Sequence, residues 1–96
     1  MQFLVLAAVK EGVSVSQLGP LLRAEAARVW ELYAAGVVRA VHYRGDVPGA
    51  VLTLEAASPE EATQAAESLP LAQAGLLELQ VIPLSPYTGF EKMFGP

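Results

Sequence analysis

Two side chains in this 96-residue sequence have the type and setting to move a proton: Glu25, an acid set among apolar residues, and His42, the only histidine. At about 100° of rotation per residue, Leu18, Leu22, Val29, Leu32 and Tyr33 fall in one arc of a helix, and Glu25 falls inside that arc while Arg23 and Glu31 do not. A carboxylate on the face that a helix turns toward a sheet is costly to ionise. Its pKa rises toward the range where a general acid or base works near neutral pH. The plainer reading puts Glu25 at the edge of the stripe, paired with Arg28 one turn on in a solvated contact. A histidine side chain ordinarily titrates near about 6.5, which suits proton transfer at neutral pH and makes His42 the other candidate. Its plainer reading is a histidine at a sheet edge, bonded to a backbone carbonyl or to water.

Around these two stand the candidates for holding a ligand. Trp30 and Tyr33 on the helix can line a pocket, or can be core aromatics at helical spacing. Small residues at Ala26 and, on the facing strand, Ala40 leave space beside the acid, which a small-ligand pocket requires. The stretch RAVHYRGDVPGAVLTLE, residues 39 to 55, adds Arg39 and Tyr43. Tyr43 can orient a ligand with its hydroxyl or serve as core or interface. Arg39 lies opposite Glu55 if the turn is symmetric about Val47, which makes an ion pair the alternative to a ligand contact. The same register sets Val41 opposite Thr53 and His42 opposite Leu52, so that His42 shares a face with Ala40, Leu52 and Leu54. Asp46 belongs to the turn, where its side chain bonds the local backbone.

Composition limits the partners. Six basic against ten acidic residues give a net charge of −4, and no segment gathers enough Lys or Arg to neutralise a row of phosphates, so nucleic acid is excluded. There are no cysteines, which removes disulfides, thiolate catalysis and cysteine metal sites and suits a reducing cytoplasm. A lone histidine argues against zinc, and no metal site is expected. The N-terminal run FLVLAAV lacks a basic leader and is far shorter than the roughly 20 apolar residues that span a bilayer. It reads as a strand, and no membrane partner is expected.

The elements that position these residues follow from spacing. Residues 2 to 9 are apolar on both alternating faces, as in a strand covered on two sides. The first helix runs from about Leu18 to Tyr33, its start marked either by a Ser14–Gln17 box or by Gly19–Pro20, and Gly36 follows as its left-handed cap. Strands at 37–44 and 50–56 flank the GDVPG turn. Ser58, Pro59 and Glu61 start a second helix that runs to about Leu69, where Pro70 stops it. Residues 76–84 make the last strand, on which Glu78 and Gln80 alternate toward one face. The domain is thus residues 1–84, and 85–96 form a tail in which Tyr87, Phe90, Met93 and Phe94 recur at near-helical spacing. That tail is expected to pack on its own subunit, to cross to a neighbouring one, or to close a pocket as a lid.

The order is βαββαβ, an α+β ferredoxin-like arrangement with two helices on one face of a four-stranded antiparallel sheet. With 53% hydrophobic and only 17% charged residues, more apolar surface is present than one small core needs. The helix-free face needs a cover, and a second copy of the sheet is the simplest. Two sheets packed face to face make a dimeric α+β barrel.

The segment from Leu32 through Gly36 to Arg39, the SPEEA helix start, and SLPL followed by LELQVIPL resemble the muconolactone isomerase family of dimeric α+β barrels. The resemblance covers most of residues 2 to 84. It implies a homo-oligomer built from dimers and an isomerase that moves a proton within an unsaturated lactone by acid/base chemistry without a cofactor. Glu25 falls where that family has a glutamate on the first helix. The lysine that follows it in the family is Ala26 here, and basic and aromatic residues of the family's second strand are replaced by Ala40 and His42. The expected activity is isomerase-like proton transfer on a small cyclic or aromatic acid or lactone, with Glu25 carrying the proton and His42 or Tyr33 orienting the ligand. The alternative is a non-catalytic ligand-binding or assembly module of the same fold, and a cofactor-free oxygenase stands third by fold analogy.

Overall fold

Gln2–Val9 forms the strand β1 at the interior of a four-stranded sheet, in a computed structural model that describes residues 1–95. Val15–Leu18 is one helical turn, α1, and a 3₁₀ turn over Gly19–Leu21 leads into α2, Leu22–Ala34. β2 (Val38–Tyr43) and β3 (Gly49–Glu55) make the hairpin, α3 (Pro59–Glu67) and α4 (Pro70–Gln73) follow, and β4 is Leu77–Pro83. A 3₁₀ turn at Gly89–Met93 lies in the tail. All pairings are antiparallel and the spatial order is β2-β3-β1-β4. The α+β ferredoxin-like arrangement expected from the sequence is the one observed. No helix among the described residues is long and apolar enough to cross a membrane.

Local chemistry explains the boundaries. Both proposed helix starts are used. Ser14 N–H donates to Gln17 Oε1 at 2.9 Å and begins α1, and Pro20, which has no N–H, then tightens the chain into the 3₁₀ turn, so the long helix begins at Leu22 rather than Leu18. Gly36 follows α2 with φ +78°, a conformation that a side chain disfavours. Ser58 Oγ accepts from Glu61 N–H at 3.2 Å, and Glu61 Oε2 in turn accepts from Ala57 N–H at 3.2 Å. Pro70 was expected only to end a helix. It ends α3 two residues early and then opens α4, because Leu69 before it is pushed to extended geometry and proline fits the first helical position.

The core lies between one sheet face and the helices. Phe3, Val5, Leu52, Leu54 and Val38 meet Leu32 of α2 and Ala62, Ala66 and Leu69 from α3 and its end. Ala62 and Ala66 are one turn apart, and their small side chains let α3 approach the sheet closely. On the other face Leu4, Leu6, Ala8, Val51 and Ile82 are only half-buried within one chain. In the tail Tyr87, Phe90, Met93 and Phe94 are exposed, so packing onto the body of the same chain is not seen, although Tyr87 and Phe90 meet edge to face with centroids 5.0 Å apart.

The hairpin departs from its expected register by one residue. Val38 pairs with Leu54 but Ala40 pairs with Thr53, so Arg39 is an extra residue in a bulge, and His42 lies opposite Val51 rather than Leu52. Because faces alternate along a strand, that one residue exchanges the two sides. Val41 and Tyr43 share the helix side with Leu52 and Ala50, while Ala40 and His42 share the helix-free side with Thr53 and Val51. The Arg39–Glu55 pair is not made. Glu55 Oε1 is instead 3.1 Å from the Met1 amine. Asp46 is the turn residue expected: Arg44 clasps its carboxylate through two bonds of 2.7 and 2.9 Å, and Val47 N–H adds a third at 2.9 Å. The Arg44 bonds, with that backbone donor, hold Asp46 far below the ordinary carboxylate pKa range.

At the far end of the hairpin Gly49 has φ +153°, and a Cβ there would run into the Ala7 carbonyl of β1. Gly49→Ala should therefore cost on the order of 2 kcal/mol. A lower urea midpoint would show it, with Gly45→Ala, whose Cβ meets nothing within 4 Å, as a control that leaves the midpoint nearly unchanged.

Candidate functional site

Glu25 lies in the first turn of α2 and turns toward α4. Its Oε1 accepts the Leu71 N–H at 2.9 Å. That N–H is one of the unpaired donors at the start of α4, left open because Pro70 and Leu69 offer no side-chain cap. Burial pushes the Glu25 pKa up, and the Leu71 bond, which favours the charged form, opposes part of that rise. The proposed contact with Arg28 is not formed. Arg28 Nη1 pairs with Glu31 Oε2 at 3.0 Å, and its Nε donates to Ser68 Oγ at 3.0 Å. Two polar contacts, Glu25 to Leu71 and Arg28 to Ser68, thus fasten α2 to the end of α3 and the start of α4.

The second proton-transfer candidate is elsewhere. His42 is exposed on the helix-free side of the edge strand β2, so the sheet separates it from Glu25 within one protomer. Ala26 and Ala40 do not frame a common space either: Ala26 is exposed on α2, and Ala40 lies on the far side of the sheet. The void between sheet and helices, lined by Val5, Leu32, Leu52, Leu54, Ala65, Ala66 and Leu69, is too small for a water molecule. A second, open hollow is lined by Tyr33, Ala34, Gly36, Val38 and Arg39. Glu25 lines neither.

The ligand-holding candidates sort by side. Trp30 and Tyr33, read as pocket or core residues, are instead 67% and 50% exposed and stack on each other with centroids 5.7 Å apart. The reason is that α2 lies over the edge strand β2, so only Val29 and Leu32 of its apolar arc reach the core and the flank with Leu22, Trp30 and Tyr33 overhangs. Tyr43 is on the helix side but past the reach of α2, almost fully exposed. Arg39 Nε donates to Gly36 O at 2.8 Å. Glu78 and Gln80 face outward on the helix-free side of β4. Among the described residues no group of three or more His, Asp or Glu side chains is placed to hold a metal ion. Ser68 and the Leu71 N–H are the partners that sequence reasoning missed. The signal for the second was Pro70 itself, since a proline at the first helical position leaves the next N–H in want of an acceptor.

Two solved structures share the fold that carries these residues. Muconolactone isomerase superposes with a TM-score of 0.76 at 20% identity, over 92% of this chain and 92% of that one. The chain has the muconolactone isomerase fold. A 5-chloro-2-hydroxyhydroquinone dehydrochlorinase from Burkholderia phenoliruptrix AC1100, in complex with 2,5-dihydroxybenzoquinone, has the same fold, with a TM-score of 0.74 and 23% identity over 88% of this chain and 94% of that one. The muconolactone isomerase resemblance drawn from the sequence thus holds for the fold. No family model and no curated protein matches the sequence.

The Glu25 environment makes a pH prediction. Burial raises its pKa in the folded chain above the unfolded value of about 4.3, so the folded state binds the extra proton between the two values. Its contribution to stability is then full below the unfolded pKa and is lost as pH rises through the folded one. The difference in urea midpoint between wild type and Glu25→Gln, followed from about pH 4 to about pH 8, should move against the wild type as pH rises. Gln keeps an oxygen for Leu71 N–H, so the difference isolates the charge; a flat difference would show that Glu25 is effectively solvated.

Proposed function

We propose that the chain is a small-molecule enzyme of the muconolactone isomerase kind, moving a proton without a cofactor on a small cyclic or aromatic acid or lactone. The observation that carries this reading is Glu25, a half-buried carboxylate with one oxygen tied to Leu71 N–H and a proton affinity raised by burial. Burial moves its pKa upward, in the direction that makes a carboxyl a better acceptor and carrier of a proton. Oε1 is fixed, so Oε2 is the atom that accepts a proton from the carbon next to the conjugated carbonyl. The electron pair moves into the carbonyl as the C–H bond breaks, and the Glu25 carboxyl, whose proton trades with solvent, returns a proton further along the conjugated system. The reaction is redox-neutral and needs no other reactant. The names of the two proteins that share the fold, an isomerase of a lactone and a dehydrochlorinase of a hydroxyhydroquinone, support a cyclic, oxygenated substrate.

Assembly belongs to the same reading. A second copy covers the half-exposed Leu4, Leu6, Ala8, Val51 and Ile82, and His42 then lies at the border of that contact rather than beside its own Glu25. Light scattering at micromolar concentration should give at least twice the 10.1 kDa of one chain, and a monomer mass would remove the barrel from the proposal.

One observation favours the second reading, a binding or assembly module without chemistry. Glu25 already has a structural task as the cap of α4. The two readings part in heavy water. Proton exchange from a butenolide lactone, followed by NMR, should occur with wild type and be lost in Glu25→Gln, whose cap is intact. Exchange by both proteins would take Glu25 out of the mechanism, and exchange by neither would leave the module reading in place.

A further inference from the structure

Arg39 and Tyr33 meet at an open hollow that Glu25 does not line. The Arg39 guanidinium is pinned over the end of α2 by its Nε bond to Gly36 O at 2.8 Å, and its two terminal nitrogens have no protein partner among the described residues. Glu55, the carboxylate expected opposite it, is engaged elsewhere, with the Met1 amine. Beside it the half-exposed Tyr33 ring is backed by Trp30 at 5.7 Å. Val38, 1% exposed, supplies an apolar floor, and Gly36 keeps the space clear, since nothing lies within 4 Å of where its Cβ would be.

We propose that this hollow binds a planar aromatic or conjugated carboxylate, with the carboxylate in the fork of Arg39 and the ring against Tyr33. A guanidinium already fixed through Nε presents its outer edge in the geometry that a carboxylate matches with two parallel bonds, and little side-chain freedom is left to lose. The Trp30–Tyr33 stack holds the wall ring in place, so a ligand ring gains an ordered aromatic surface. The site needs charge and ring together: a single cation is weak alone in water, and an exposed tyrosine is a weak wall alone. It is independent of Glu25, which sits eight residues earlier on the same helix, about 12 Å along its axis, and faces α4.

Trp30 is the only tryptophan, so its indole N–H gives one NMR signal next to the site. Benzoate titrated into the ¹⁵N-labelled full chain should shift that signal and the Arg39 Nε–H saturably. Benzyl alcohol, with the ring and no charge, and inorganic phosphate, with the charge and no ring, should bind at least about tenfold more weakly. Arg39→Gln should weaken benzoate by about tenfold or more, and Arg39→Lys, which keeps the charge without the fork, by less. Tyr33→Ala should weaken it while leaving far-ultraviolet dichroism unchanged. Glu25→Gln should bind benzoate like the wild type, so loss of lactone exchange and loss of this site are read separately. An indole signal that benzoate does not move, undiminished binding in Arg39→Gln, or binding abolished by Glu25→Gln would each overturn the proposal.

Discussion

A four-stranded sheet has two faces, and this chain covers one of them. The helices bury Phe3, Val5, Leu52 and Leu54 on that side, and the other side of the same strands presents Leu4, Leu6, Val51 and Ile82 half-bare. Burying one such side chain fully is worth about 1.5–3 kcal/mol, so the uncovered face holds stabilisation that one chain alone does not realise. Most of the remaining geometry follows from it. What stands on the helix side packs under the helices or overhangs them, and what stands on the other side lies on the half-exposed face.

The helix layer is held by two kinds of contact with different tasks. Apolar packing of Leu32, Ala62, Ala66 and Leu69 supplies the energy. The Glu25–Leu71 and Arg28–Ser68 bonds, each with a net worth of about 1 kcal/mol, set where α2 lies along the α3–α4 corner. Within that division Glu25 serves as the cap of α4, and the proposed reaction would give it a second task. Its first oxygen satisfies a backbone donor that would otherwise be unpaired, and its second is left for a proton.

Much of the fold could be read from residues with strong local rules. Ser58-Pro59 with Glu61, Gly36 after an apolar stripe, and the GDVPG turn each act within a few positions, and each is where the structure puts it. What could not be read depends on contacts distant in sequence. The Arg39 bulge obeys no local signal, because a strand with one extra residue looks like a strand, yet it decides that His42 and Glu25 stand on opposite sides of the sheet. Glu25 was legible as an acid on an apolar arc, but its partner is 46 residues away and became visible only once Pro70 proved to open a helix as well as close one. Trp30 and Tyr33 show the same limit: periodicity gives the arc of a helix, while the overhang of α2 beyond an edge strand gives how much of that arc is covered.

The bulge also has a bearing on descent. In an unbroken strand, gaining or losing one residue exchanges inside for outside along everything beyond it and is ruinous. A strand that already holds an unpaired residue can release it or move it by one position, and the exchange is then confined to the stretch between the old and new positions. For β2 this means that relatives differing by one residue in length at this strand could show the chemistry of Val41 and Tyr43 on the face where His42 now stands, with β1, β3 and β4 untouched. Length variation at one edge strand becomes a way to trade the contents of the two faces without rebuilding the core.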